Sequence, residues 1–183
     1  GKAVSPPTPE RGPVLADFRA MYDAELSSVW HALRRFGVED RHLEDAVHEV
    51  FLVVHRRLPD YDQTRPLRPW IRGIAYRVAA DFRKRSSTRH EVPGEGPELV
   101  DPVAPADEQL ASAEKRRLVH AALARLSPEQ RAVFVLCELE GLTMPEASAE
   151  LGINLNTAYS RLRLAREAFV KAVRALREEG GRS

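Results

Sequence analysis

Residues 142–166, LTMPEASAELGINLNTAYSRLRLAR, constrain the fold of this chain more than any other stretch. They read as two short helices joined by a tight turn. Thr143 followed three residues on by Glu146 is a capping box, and Pro145 is tolerated in the first turn. Met144, Ala147, Ser148 and Leu151 share one face, and Gly152 stands where a left-handed residue ends the helix. Asn154 is placed to cap the second helix, which repeats apolar residues at Leu155, Ala158, Leu162 and Ala165. Its other face carries Asn156, Thr157, Tyr159, Ser160, Arg161 and Arg163, with Arg166 one turn further on. A helix-turn-helix sets the start of its second helix in the DNA major groove, where such side chains reach base edges and phosphates. Ala147, Ser148 and Ala158 make a thin interior, so this motif must pack on flanking helices.

The remaining pattern is helical throughout. From Val14 to Phe36 apolar residues recur at threes and fours: Leu15, Phe18, Tyr22, Leu26, Val29, Leu33 and Phe36, widened by Met21 and Trp30. From Arg41 to Leu58 the buried face is Leu43, Ala46, Val47, Val50, Phe51, Val54 and Leu58. A second strip of that cylinder holds Asp45, His48, Glu49, Leu52 and Arg56. A solvated face with one stray Leu and a docking strip for a basic partner helix fit this strip equally well. A loop around 60–67, DYDQTRPL, leads into a helix with Trp70, Ile71, Ile74, Val78 and Phe82 facing inward. Arg68, Arg72, Tyr76, Arg77, Arg83, Lys84 and Arg85 are expected to point outward.

Charge is sorted along this half. Residues 39–62 carry seven acids against Arg41, Arg56 and Arg57, whereas from Arg65 to Arg85 the only acid is Asp81. A basic helix beside the loop residues Tyr61, Asp62, Gln63, Thr64 and Arg65 suits single-stranded or distorted nucleic acid, where phosphates are neutralised and bases stack or flip out. The formal net charge of the whole chain is only +1, so this distribution, not the total, names a partner class.

The segment STRHEVPGEGPELVDPVAPA, rich in Pro, Gly and acids, reads as a flexible linker. Beyond it lie a helix around Asp107–Leu126, apolar at Leu110, Leu118, Ala122 and Leu126, and a capping box at Ser127-Pro128-Glu129-Gln130 that starts the helix before the turn motif. The recognition helix is expected to continue through Phe169, Val170 and Val173, ending at Gly180-Gly181. The fold class is therefore all-α: two small helical domains, the second containing the helix-turn-helix. The expected divisions are a disordered tail at 1–13, a first domain at 14–86, a linker at 87–106 and a second domain at 107–179. The proline-rich start, Gly1 rather than Met, is expected of a processed or tagged end and has no signal-peptide pattern.

Other chemistries find little support. Six histidines are scattered, and His48-Glu49 opens like a zinc-protease motif but has Leu52 where the second His belongs. No metal, cofactor or catalytic set is expected, and enzyme activity is not. Asp60 and Asp62 read as loop chemistry rather than an acid/base pair. Cys137 is the sole cysteine, so no disulfide forms within the chain. No apolar run approaches the ~20 residues of a bilayer span.

Two segments together resemble a known family. EDAVHEVFLVVHRRLPDYDQTRPLRPWIRGIAYRVAADFRKR resembles region 2 of the bacterial extracytoplasmic-function (ECF) sigma factors, and LARLSPEQRAVFVLCELEGLTMPEASAELGINLNTAYSRLRLAR resembles their region 4. Order, spacing and linker agree over about residues 14–177. The resemblance implies a promoter-specificity subunit of RNA polymerase that binds core enzyme, recognises the minus-thirty-five and minus-ten elements and assists melting. It implies docking on the β′ coiled coil through the acidic strip, where Asp45, Glu49 and Phe51 match and His48 replaces a usual Gln. Contact with the β flap of core polymerase is implied as well. The loop Tyr61–Arg65 and the helix through Arg77 match the minus-ten part, with Arg77 in place of a more usual Asn. The helix-turn-helix matches the minus-thirty-five reader at Thr157, Ser160, Arg161 and Arg166, while Asn156, Ala158 and Tyr159 depart from the common pattern. An anti-sigma factor, a cytoplasmic location and tethering at the inner membrane through that factor are further implications. The alternative is a stand-alone helix-turn-helix regulator binding a palindromic operator.

Overall fold

The computed structural model describes residues 14–88 and 106–182. The expected N-terminal tail and nearly all of the expected linker lie outside the described residues. Among the latter, the regular structure is helical. Helices α1 (Val14–Arg35), α2 (Leu43–Arg57) and α3 (Leu67–Thr88) form the first lobe; α4 (Ala106–Ala124), α5 (Pro128–Phe134), α6 (Met144–Leu151) and α7 (Leu155–Gly180) form the second. Between α5 and α6 the chain adds one π-helical turn, Val135–Leu139.

The stripes read from sequence supply the core. Val29 and Leu33 of α1, with Phe36 just past its end, meet Leu43, Val50 and Val54 of α2 and Ile71 and Ile74 of α3, all at most 3% exposed. In the second lobe Leu123, Val133, Leu136 and Leu162 are enclosed, each at most 4% exposed, and Phe134 stacks on Phe169 at 4.5 Å between centroids. Each such aliphatic side chain stabilises the fold by about 1.5–3 kcal/mol on burial. The thin interior of the turn motif is completed as its small residues require, by α5 and α4 packed along α7.

Local chemistry starts and stops the second-lobe helices. Ser127 accepts from the Gln130 amide and Thr143 from the Glu146 amide, each in a complete reciprocal box. Asn154 accepts from the Thr157 amide at 2.8 Å. Gly152 ends α6 at φ 65°, the left-handed conformation that costs a side-chain-bearing residue most.

The two lobes share one continuous core and meet along two seams, α1 against α4 and α3 against α6. Polar contacts dominate the second seam. Arg72 Nε pairs with Glu140 at 2.7 Å, and Arg77 lies 2.9 Å from Glu150. Arg35 reaches the same Glu140 at 3.2 Å. Arg131, on α5, donates to the carbonyls of Arg35 and Arg34 at 2.8 and 3.4 Å and so caps the end of α1 from the opposite lobe. Burial and the neighbouring Arg83 push the Arg131 guanidinium down to about 10, which leaves it cationic at neutral pH.

Three expectations are corrected. Arg72 does not point outward: it is 3% exposed, because Glu25 and Ser28 of α1 and Glu140 surround it. Leu155, the first residue of α7, is 42% exposed and not part of the buried face formed by Ala158, Leu162 and Ala165. Leu110 is 73% exposed, whereas the buried residues of α4, Ala122 and Leu123, lie in its last turns. In addition, α3 runs on to Thr88 and α4 ends at Ala124.

Candidate nucleic-acid interface

Three surfaces carry the residues singled out in the sequence. The first is the outer strip of α2. Asp45, His48 and Arg56 are exposed, Glu49 is half-buried, and Leu52 is 46% exposed. The opposite face of the helix, with Leu43, Val47, Val50 and Val54, is what anchors it. Phe51 belongs to that anchored face, packed on Tyr22 at 4.5 Å and 4% exposed, so it supports the strip from behind. An apolar side chain flanked by acids and a terminal Arg suits a partner helix of basic, amphipathic character.

The second surface is the loop before α3. Tyr61 lies over Trp70 with centroids 4.6 Å apart and planes 35° from parallel, and its hydroxyl donates to the Arg65 carbonyl. Asp62 accepts from the Thr64 amide at 3.0 Å and from the Thr64 hydroxyl at 2.6 Å. Those bonds hold the Asp62 carboxyl below its usual range, with Arg65 adding a smaller pull in the same direction. The loop is thus ordered by its own side chains, leaving Gln63, Thr64 and Arg65 exposed at its tip. Trp70 is half-buried rather than sealed in the core, its ring shared between the lobe and this loop. An aromatic platform beside a ring of hydrogen-bonding groups is an arrangement that accepts an unstacked base.

Along α3 the basic residues divide. Arg68 is largely exposed and pairs with Glu25 at 3.3 Å; Arg77 is exposed but bridged to Glu150; Arg72 is enclosed. Tyr76 is half-buried with its ring edge-on to Phe36. The sequence pattern does not foretell Glu140 and Glu150, which join this face from the other lobe. Glu25 does leave a trace: it falls between Tyr22 and Val29 on the apolar stripe of α1, where a charge requires a buried partner.

The third surface is the outer face of the helix-turn-helix. Asn154, Asn156, Tyr159, Ser160, Arg163 and Arg166 are exposed, and Thr157 and Arg161 are half-exposed. Ala158, Leu162 and Ala165 hold the helix from beneath, each at most 4% exposed. Arg163 pairs with Glu167 at 3.4 Å, a contact on the open surface that competes weakly with a phosphate. Arg166 is held by Glu138, whereas Arg161 forms no ion pair among the described residues. The array is a row of donors along about three turns of a firmly seated helix, which is what groove recognition needs.

Among the described residues no cluster of three or more His, Cys, Asp and Glu is placed to hold a metal, and no helix is long and apolar enough to cross a membrane. Cys137 is half-buried near Met144, and burial beside Glu138 pushes its thiol up to about 11, far from a reactive thiolate.

The fold and these surfaces define a two-lobed helical DNA-binding protein whose second lobe carries a helix-turn-helix. Sigma-70 region 2 matches residues 21–89, and Sigma-70, region 4 matches residues 116–169. The chain is 31% identical over 165 residues to the ECF RNA polymerase sigma factor SigL of Mycobacterium tuberculosis, covering 89% of this chain and 90% of that one. It is 32% identical over 151 residues to the ECF sigma factor SigK of Mycobacterium ulcerans, covering 80% of each. Two solved structures share the fold. CnrH in complex with the cytosolic domain of CnrY has a TM-score of 0.63 at 23% identity, over 88% of this chain and 90% of that one. The sigma factor RpoE from Bartonella quintana, in complex with the anti-sigma factor NepR, has a TM-score of 0.66 at 22% identity, over 86% and 97%. The chain therefore belongs to the ECF RNA polymerase sigma factors.

Proposed function

We propose that this sigma subunit divides promoter recognition among the three surfaces just described. The strip Asp45, His48, Glu49, Leu52 and Arg56 docks on the β′ coiled coil of core polymerase, and the second lobe meets the β flap. The loop 61–65, with Arg68, Arg72, Tyr76 and Arg77, takes the single strand of the minus-ten element. The face from Asn154 to Arg166 reads the minus-thirty-five duplex. The observation that carries this reading is the pairing, in one chain, of an ordered aromatic-and-polar loop on the region 2 lobe with a seated donor-rich helix on the region 4 lobe.

Mechanistically, phosphate contacts set the register and the α7 side chains discriminate base edges. The Tyr61–Trp70 platform favours strand opening by offering an extruded base a stacking partner in place of its neighbours. Neither surface needs high affinity by itself, because core polymerase holds both near the promoter and raises their effective concentration. The chain acts as a non-catalytic specificity subunit, working where core polymerase works and taking an anti-sigma factor as partner, as RpoE takes NepR. A stand-alone repressor is not favoured, since it leaves the region 2 surfaces without a task.

Transcription with purified core polymerase on a library of promoter sequences tests this directly. Expected is specific initiation from a subset sharing two spaced elements. Failure of the chain to join core polymerase, or repression without initiation, overturns it.

A further inference from the structure

Where α1 faces α4, a cavity of about 150 Å³ opens beside Val119 and Leu139. Every other side chain lining it, among the described residues, is a base: His31, Arg34 and Arg35 from α1, and Lys115, Arg116 and His120 from α4. No carboxylate lines it among those residues. Two acids outside the lining reach its arginines, Asp40 at 3.3 Å from Arg34 and Glu140 at 3.2 Å from Arg35. Glu140 is shared with Arg72 at 2.7 Å, so its single charge does not fully neutralise Arg35. Arg34 Nε and His120 Nδ1 are buried with no hydrogen-bond partner among the described residues. Trp30 holds part of the set in place: the Arg34 guanidinium lies over its ring at 5.7 Å, and His31 stands edge-on to it at 4.8 Å.

Like charges crowded around so small a space repel one another, and each buried donor without an acceptor adds a cost of its own. The local potential is visible at His120: burial first, then Arg34 and Arg131, lower its pKa, and Asp40 opposes them only weakly. We propose that this cavity is a binding site for a small phosphate-bearing anion, specifically a diphosphate group, held by Arg34, Arg35, Lys115, Arg116 and the His120 imidazole. Such an anion brings the negative charge that the lining lacks, and its oxygens accept from the unsatisfied Arg34 N–H. His120 donates through Nδ1 in the tautomer that carries its proton there. Guanidinium forks match phosphate oxygens in pairs, and a partly dry setting strengthens each contact. Size selects the head group. Pockets that enclose a whole drug-sized molecule run to about 300–1,000 Å³. About 150 Å³ admits a phosphoryl or diphosphate head and leaves any attached nucleoside outside, past the exposed Lys115. None of these bases belongs to the surfaces assigned above to promoter or core polymerase, so the site is separate from that function.

The full chain is titrated with inorganic pyrophosphate by isothermal calorimetry, and the histidine ring signals are followed by NMR. Expected are a single site per chain and shifts of the His31 and His120 rings, with those of His48 and His55 on α2 unmoved. Lys115→Gln with Arg116→Gln should weaken binding by roughly tenfold or more, since two charge-assisted contacts are lost. Lys171→Gln with Arg174→Gln, a charge-matched pair at exposed positions of α7, should leave it unchanged. Lys115→Gln alone, at an exposed position, lowers affinity by a smaller factor and keeps the question decidable should the double variant fold poorly. ADP in place of pyrophosphate separates the sources. Similar binding of both assigns the diphosphate of a nucleotide, and binding of pyrophosphate alone assigns the free anion; either result sustains the site. Four outcomes overturn it: no binding, equal losses in the two double variants, equal binding of citrate, or displacement of pyrophosphate by a single-stranded DNA oligonucleotide, which would give these bases to nucleic acid instead.

Discussion

The basic face of α3 and the recognition face of α7 are built from the same residue types and stand in opposite conditions. On α7 the donors project outward from a helix seated by Ala158, Leu162 and Ala165, and their few ion pairs are exposed. On α3 one arginine is enclosed and another bridged, both by acids from distant sequence. The difference teaches that a charged helix face is defined by what lies opposite it. The α7 face stands open to solvent, whereas the α3 face is covered in part by acids of the second lobe.

The comparison is broken most severely on the α7 side. Arg161→Ala with Arg163→Ala removes two donors without disturbing the core, and a good base or phosphate contact contributes about 1–3 kcal/mol each. Promoter-directed transcription in holoenzyme should fall by roughly 30-fold or more, with the melting temperature unchanged. A small loss would mean that α7 lies flat on its partner rather than in the groove.

A smaller effect is expected at the loop. Trp70→Ala should cost about 2 kcal/mol, around half of the 3–5 kcal/mol for a fully enclosed aromatic, because the ring is half-buried. Strand opening, followed by permanganate reactivity of unpaired thymines in the holoenzyme complex, should fall while duplex binding through α7 persists. Loss of both together would make Trp70 a packing residue only.

The smallest effect concerns the seam itself. His120 of α4 lines a cavity of about 150 Å³ between the lobes with His31, Arg34, Arg35, Lys115 and Arg116. Burial, then Arg34 and Arg131, lower its pKa below the ordinary 6.5, with Asp40 pulling weakly the other way. The folded chain therefore binds this proton less readily than the unfolded chain. Stability is fully present above pH 6.5 and declines as pH falls from there toward the depressed folded value. Thermal melting between pH 7.5 and pH 5.5 should show a drop that His120→Gln reduces. An identical drop in the variant would assign the pH dependence to other groups.

Much of this molecule was legible from local pattern. The two capping boxes, the Asn154 cap and the left-handed Gly152 each depend on residues within four positions of one another, and each forms as the spacing requires. The outer strip of α2 was equally readable, because the opposite face of that helix is strongly apolar. Arg72 was not. Helical periodicity places it beside Arg68 on the polar side of α3, and nothing within reach along the sequence announces Glu140, 68 positions away. Leu155 and Leu110 failed for the same reason in reverse: periodicity puts each in register with an apolar face, but both stand in the first turns of their helices and are left exposed.

The carbonyls at the end of α1 are satisfied by Arg131, a side chain from the other half of the chain. A truncated fragment stopping at Thr88 lacks that donor, and its leading helix frays over the last turn beside Phe36 and Val38. Dissection of this chain into independent pieces therefore reports a softer first half than the intact protein contains, and affinities measured on such pieces describe a different ground state.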